Sequence, residues 1–364
     1  MVFVAGTGLR ACDTFAREAC PEIRPSPAKA TVFLVSPTAA TIFAIIVSAL
    51  AVAILLRTRS RLPQAIPGER SLHDRPTPRV CGLAIWAGFV PAAYFAPSPV
   101  PDGRTWLVAF AAIGLVSLLD DWRGVSAPSR LLVHAAASLA IVQAMFDPGM
   151  DPGAAEWLVA GAVALALVWS ANLFNFMDGS DGLAATAALV GFAVYAAAGA
   201  LAGDKSPLCF ALAAAIVPFL AVNVPPARMF MGDVGSVPLG FLAGTFGIAG
   251  VWRGMWPAWF PLLVFLPLVA DASVTLARRF FRGERVGLPH RSHYYQRFNR
   301  SGAGHRGTFW LFGGLCAGCG ASALGVLVIA PELGWVALFT WTGILAVIFA
   351  GIDYHWSRFT RAAR

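Results

Sequence analysis

Eleven apolar runs, each roughly the length at which a helix crosses the hydrocarbon core of a bilayer, divide most of this 364-residue chain. They lie near 36–56, 80–97, 105–119, 130–146, 157–173, 183–202, 207–224, 235–251, 257–276, 308–330 and 334–353. Within a bilayer every backbone N–H and C=O must find its partner inside the protein, so only helices and closed barrels are stable there. Barrel strands alternate apolar and polar residues, and no such alternation is present. The sequence therefore predicts an all-α, polytopic integral-membrane helical bundle with about eleven transmembrane helices. Composition agrees, at 58% hydrophobic and 13% charged, where a soluble domain is about half apolar and about a quarter charged. The predicted bundle occupies residues 36–354. A Pro-bearing N-terminal extension, residues 1–35, is expected to be poorly ordered, and residues 355–364 form a basic tail.

Lys and Arg set an orientation. Twenty of the 27 basic residues follow the odd-numbered runs or close the chain. Arg57, Arg59, Arg61, Arg70, Arg75 and Arg79 follow the first run, Arg123 and Arg130 the third, and Arg228 the seventh. Eight more lie between Arg278 and Arg306, and Arg358, Arg361 and Arg364 end the sequence. The positive-inside rule then predicts an N-terminus outside and a cytoplasmic C-terminus. The net charge of +8 is a topology signal, and nucleic acid is not expected as a partner. Basic loops at the inner face do attract anionic lipids or substrates. The first run carries its basic residues after it rather than before it, so it does not read as a cleavable signal. Cys316 and Cys319 form a CxxC inside GGLCAGCGASALG, which reads as a small-residue packing face.

Against that topology the acids are out of place. Asp120 and Asp121 end the third run in GLVSLLDDWRG. Asp178 and Asp181 follow the fifth in NLFNFMDGSDG, and Asp233 follows the seventh in PPARMFMGDVGS. All five fall at predicted cytoplasmic helix ends, in loops otherwise filled with bases, which points to convergence on one cationic centre. Hard carboxylate oxygens suit Mg²⁺, with Mn²⁺ as the alternative. One or two carboxylates, completed by phosphates and water, are the usual metal shell at phosphoryl-transfer sites. Glycines 232 and 235 around Asp233, and 179 and 182 around Asp181, permit tight turns that expose N–H groups to an anion. Asn172 and Asn175 share the three-residue spacing of Asp178 and Asp181. The segment RRFFRGERVGLPHRSHYYQR carries His290, Arg291 and His293. There an arginine fork suits phosphate, and imidazolium adds charge or a proton. His73 and Arg75 in the first loop are candidate substrate contacts. Asn223, beside the PPAR turn, is either a nucleotide contact or a helix cap. Asp271, near the inner end of the ninth run, is a site candidate or the partner of an arginine. His134 reads as a packed residue.

These segments resemble the polyprenyl-phosphate N-acetylhexosamine-1-phosphate transferase superfamily, glycosyltransferase family 4. NLFNFMDGSDGLA is similar to its N-x-x-N-x-x-D-G-x-D-G-L signature, LLDDWRG to its tandem-aspartate motif, and NVPPARMFMGDVGS to the segment with its metal-binding aspartate. ERSLHDRPTPRVCGLAIW resembles the first cytoplasmic loop, and PHRSHYYQR the histidine motif of the O-antigen-initiating branch. The five blocks keep the family's order between residues 36 and 305. The resemblance implies a bacterial inner-membrane enzyme with its active site on the cytoplasmic face. Such an enzyme transfers N-acetylhexosamine-1-phosphate from a UDP-sugar to undecaprenyl phosphate, with Mg²⁺, as the first membrane step of O-antigen, capsule or other envelope polysaccharide synthesis. The products are a lipid-diphosphate sugar and UMP. It further implies that Asp233 ligates the metal, with Asp121 and Asp181 in the same set. Asp120 and Asp121 would bind or deprotonate the lipid phosphate, or assist the metal. Asn172, Asn175, Asp178 and Asp181 would hold the nucleotide and metal shell. Gly235 and Ser236 join the substrate-binding set, and His290, Arg291 and His293 would grip phosphate or sugar. The implied partners are UDP-N-acetylhexosamine, undecaprenyl phosphate and the bilayer, and a homodimer is allowed. Cys81 stands where the family has Gly, which leaves the local backbone path open.

Two other readings compete. A transporter is expected to hold ionisable residues near the bilayer midplane and to show inverted repeats, and neither is visible in the sequence. A phospho-N-acetylmuramoyl-pentapeptide transferase of peptidoglycan synthesis is the alternative within the enzyme class. That branch carries adjacent histidines where this chain has His290 and His293 separated by Arg and Ser.

Overall fold

The structure, a computed structural model, describes residues 36–68, 72–145, 153–204, 206–285, 287 and 290–362. The predicted extension at 1–35 lies outside them. The helices are α1 (Pro37–Arg57), α2 (Leu83–Phe95), α3 (Gly103–Arg123), α4 (Ala127–Met145), α5 (Ala154–Met177), α6 (Leu183–Leu201), α7 (Leu208–Asn223), α8 (Asp233–Trp252), α9 (Trp259–Val264), α10 (Leu266–Phe281), α11 (Tyr294–Phe298), α12 (Gly304–Ile329) and α13 (Gly334–Ala362). Strands among the described residues are limited to β1 (Gln64–Ala65) and β2 (Thr77–Pro78), paired antiparallel with Gln64 opposite Pro78.

Each predicted apolar run falls on a helix, and the run at 257–276 is split into α9 and α10 at Phe265. Pro267 in the first turn of α10 explains the break, because its ring has no N–H to continue the preceding helix. Seven helical segments are long and apolar enough to cross a membrane: Pro37–Arg57, Gly103–Arg123, Ala154–Met177, Leu183–Leu201, Asp233–Trp252, Tyr294–Ile329 and Pro331–Ala362. These seven, among the described residues, are consistent with the predicted polytopic bundle. Helices α2 and α7 are apolar but shorter, and each contains a proline, Pro91 and Pro218. Helix α4 is diluted by Arg130, His134 and Gln143. The result is a helical, multi-pass membrane protein whose outward faces carry exposed Leu, Val and Phe, including Val108, Leu158, Leu165 and Phe339.

Helix α8 is the axis of the bundle, most of it buried between α3, α5 and α6. It approaches α5 closely: Ser170 Oγ donates to Gly240 O at 2.7 Å. With little hydrophobic drive between helices in lipid, small residues and interhelical hydrogen bonds hold such contacts. Cys316 and Cys319 are buried free thiols on α12, on the face where Gly320 meets Val190 and Val194 of α6. Asp271 is fully buried and, among the described residues, pairs with no arginine. Its oxygens accept from the Tyr294 and Tyr295 N–H groups, both at 2.9 Å, and from the Thr275 hydroxyl at 3.2 Å. His293 Nδ1 lies 3.2 Å from the same carboxylate. Asp271 therefore anchors the start of α11.

Candidate active site

The C-terminal ends of α3, α5 and α7 and the N-terminal ends of α8 and α12 meet around a cleft of about 240 Å³. Asp121, Asp178, Asp181 and Asp233 line it, with Asn223, His73, Arg79, Gln296 and His305. Three separate loops thus deliver four carboxylates to one cavity.

The frame behind them is hydrogen-bonded. Asn175 Nδ2 on α5 donates to Asp233 Oδ1 at 2.8 Å and to Ser236 Oγ at 3.4 Å. Arg130 Nη1 on α4 donates to Asp233 Oδ2 at 2.9 Å and also to Asp120. Asp120 accepts the Val125 N–H at 2.6 Å as well, so it joins α3, α4 and α8 beside the cleft. Asp121 is buried, and its Oδ2 accepts the Val234 N–H at 2.9 Å. A carboxylate there satisfies an orphan donor in the first turn of α8 and complements the helix dipole. Gly232 precedes that turn at φ 73°, and a Cβ on it would lie 2.7 Å from Asp121 Oδ2. A side chain at 232 would push against the cap.

The first loop is stitched to the segment before α8. Phe230 N–H donates to Pro78 O at 2.8 Å, Cys81 N–H to Phe230 O at 3.1 Å and Gly82 N–H to Met231 O at 2.9 Å. Gly82 and Gly235 cross so closely that a Cβ on Gly82 would lie 2.4 Å from Gly235 Cα. The chain takes this path without a glycine at 81. The left-handed residue is instead Val80, at φ 66°, a strained conformation for a β-branched residue that costs on the order of 1–3 kcal/mol. Cys81 is fully buried. Burial, with Asp121 nearby, pushes its thiol up to about 12, so it remains an unreactive thiol.

Asp181 is held from two sides. Its Oδ2 accepts the Ala227 N–H at 2.9 Å, and its Oδ1 lies 3.1 Å from His305 Nδ1. His305 Nε2 lies 3.0 Å from Leu72 O, so one imidazole links α12, the aspartate turn and the first loop. Asn223 bridges the same turn to the α8 segment: it accepts the Gly182 N–H at 3.1 Å and donates to Met229 O at 2.8 Å. Asp178 caps α5, and its carboxylate makes no hydrogen bond among the described residues. Burial raises its carboxyl well above the usual range, and the neighbouring Asp233, Asp121 and Asp181 add to the shift.

Other predicted site residues lie elsewhere. Asn172 is on α5, one turn from Asn175. It donates to Val168 O at 2.7 Å and lies 3.4 Å from His134 Nδ1. His73 lines the cleft edge-on to Phe230 at 4.9 Å, whereas Arg75 is exposed. His293 is buried on Asp271, and His290 stacks against it at 4.9 Å with its Nδ1 3.0 Å from Ser292 Oγ. Burial first, then the neighbouring His293, pushes His290 down to about 4, so its ring is neutral at neutral pH. His290, Arg291 and His293 are not part of the cleft lining; their segment reaches the cleft through Gln296. Arg79, Arg130, Gln296 and His305 were not singled out by sequence. An arginine among many positive-inside arginines, or a histidine one turn into a span, carries no local pattern that separates it from its neighbours.

The donor set fits a hard divalent cation. Its carboxylates offer hard oxygen donors, and the neighbouring Asp233, Asp121 and Asp181 add to the effect of burial in raising Asp178. Among the described residues no three His, Cys, Asp or Glu side chains are grouped tightly enough to cage an ion by themselves. Mg²⁺ does not need such a cage, because one or two carboxylates with substrate phosphates and water complete its shell.

The glycosyl transferase family 4 model matches residues 104–251, the stretch that carries all five aspartates. A probable undecaprenyl-phosphate N-acetylglucosaminyl 1-phosphate transferase of Bacillus subtilis is 28% identical over 82% of this chain and 87% of its own length. The decaprenyl-phosphate N-acetylglucosaminephosphotransferase of Mycobacterium tuberculosis is 27% identical over 80% of this chain and 84% of its own. A phospho-N-acetylmuramoyl-pentapeptide-transferase of Rhodopseudomonas palustris is 30% identical, but over 53% of this chain and 65% of its own length. With four aspartates in one cleft, a family model over 104–251 and relatives of this kind along most of its length, the findings support the polyprenyl-phosphate hexosamine-1-phosphate transferase family, glycosyl transferase family 4, as the family this chain resembles.

Proposed function

We propose that the protein transfers an N-acetylhexosamine-1-phosphate from a UDP-sugar to undecaprenyl phosphate at the cytoplasmic face of the inner membrane. The observation that carries this reading is the meeting of Asp121, Asp178, Asp181 and Asp233 in one cleft at the helix ends that the arginine distribution assigns to the cytoplasm. A phosphate oxygen of the lipid attacks the β-phosphorus of the donor. A P–O bond forms between lipid phosphate and sugar phosphate, the P–O bond to UMP breaks, and UMP leaves.

Two anions must approach each other, so positioning and neutralisation dominate the barrier. Asp233 and Asp178 would hold Mg²⁺, which supplies charge neutralisation on the phosphates when bound. Asp121 and Asp181, held by the α8 N-terminus, Ala227 and His305, flank that pair on the walls against which the nucleotide lies. Arg130 and Asn175 aim Asp233. Relatives that match most of the chain are named for N-acetylglucosamine, which favours that sugar and an envelope-polysaccharide role over the muramoyl-peptide reaction. The test supplies purified protein with undecaprenyl phosphate, Mg²⁺ and a panel of UDP-N-acetylhexosamines, and weighs the lipid product by mass spectrometry. UDP-N-acetylglucosamine is expected to give lipid-diphosphate N-acetylglucosamine; a product only from UDP-muramoyl peptide contradicts the assignment.

A further inference from the structure

Among the described residues that line the cleft, Arg79 is the one guanidinium; it makes no close ion pair with a described carboxylate, although its charge favours the ionised form of Asp121. Several other arginines near helix ends form close ion pairs: Arg130 with Asp120 and Asp233, Arg278 and Arg297 with Asp353, and Arg279 with Glu284. Arg79 instead donates from Nη2 to the backbone carbonyl of Asp121, a neutral acceptor. Its Nε–H is buried and meets no acceptor. A guanidinium offers five N–H donors in a fixed fork and cannot be deprotonated in a protein. Burying one of those donors unpaired is costly.

The backbone around it is built to aim this side chain. Arg79 N–H donates to Pro63 O at 2.9 Å, while residues 78, 81 and 82 are tied to residues 230 and 231. In an extended strand, residues 79 and 81 would point the same way. The left-handed Val80 between them breaks that alternation, so Cys81 is fully buried while Arg79 lines the cleft. A strained residue held at a site's edge by hydrogen bonds on both sides is the situation in which strain accompanies function.

We infer that Arg79 is a substrate-binding residue whose guanidinium takes a phosphoryl oxygen of a substrate, either the donor's β-phosphate or the acceptor's lipid phosphate. Phosphate is the anion that a planar fork matches with paired N–H···O bonds. Arg79 supplies cationic charge to a cleft lined by four aspartates, which would otherwise repel either anion. This role rests on the transferase reading and adds to it a residue that selects for phosphate.

The experiment measures binding of UMP, UDP and farnesyl phosphate to the full-length protein in detergent, as wild type, Arg79→Gln and Arg79→Lys, with exposed Arg123→Gln as the control. UMP keeps the nucleoside but lacks the β-phosphate, so it reports an intact nucleotide site. Arg79→Gln is expected to keep UMP affinity and to lose at least tenfold for UDP or for farnesyl phosphate. The ligand that is lost identifies which phosphate Arg79 holds. Arg79→Lys is expected to recover part of the loss, because charge returns without the fork. Unchanged affinity for both phosphates in Arg79→Gln, or an equal loss that includes UMP, overturns the inference while leaving the transferase reading intact. Wild-type protein that binds none of the three removes both.

Discussion

Individual side chains here divide into those that face substrate and those that hold the first group still. His290 lies outside the cleft lining, although its motif suggested a cation. Burial and the adjacent His293 push it down to about 4, below the usual histidine value of about 6.5. Between those two values the unfolded chain binds the proton more readily than the native protein. The contribution of His290 to stability is therefore complete above about pH 6.5 and is lost as pH falls towards 4. His290→Gln is expected to flatten this part of the pH dependence, so the gap in apparent Tm between variant and wild type changes across pH 6.5 to 4 and stays constant above it. A gap independent of pH throughout would show that His290 titrates normally. The five aspartates were legible in sequence because they break the positive-inside pattern. Arg79 and His305 were not, since their roles depend on a carbonyl 42 residues away and on a loop 233 residues away.

Among the elements, α8 carries the site. Its first turn presents Asp233, receives the cap from Asp121 and abuts Gly82. That crossing leaves no room for a side chain: Gly82→Ala would place a methyl group 2.4 Å from Gly235 Cα. Backbone must move, at about 1–3 kcal/mol by analogy with overpacked cores. The apparent Tm is expected to fall, and turnover with it, because Arg79 and Asp233 are tied to the two sides of the crossing. A variant with wild-type Tm and rate would show that the two segments are not in contact. Apolar runs located nearly every helix, yet they did not locate the break at Phe265, which comes from Pro267 rather than from polarity. Two of the runs fall on helices, α2 and α7, that are apolar but short and carry a proline each. The β1–β2 pair and the strand-like contact of 78–82 with 230–231 were invisible, because two-residue pairings leave no periodicity.

At the scale of the whole molecule, helices that run in opposite directions bring their polar ends to one end of the bundle. Their apolar flanks face outwards, and Asp271, near the inner end of its run, is buried and consumed by α11. A lipid substrate and a water-soluble nucleotide can meet only at such a boundary. The central claim is that the aspartate cleft performs the transfer. Its most direct test is UMP release by purified wild-type protein and by Asp233→Asn, given undecaprenyl phosphate, UDP-N-acetylglucosamine and Mg²⁺. Wild-type release that requires the lipid, with a loss of at least ~10²-fold in a normally folded Asp233→Asn protein, is the predicted result. Release by Asp233→Asn at the wild-type rate would contradict it.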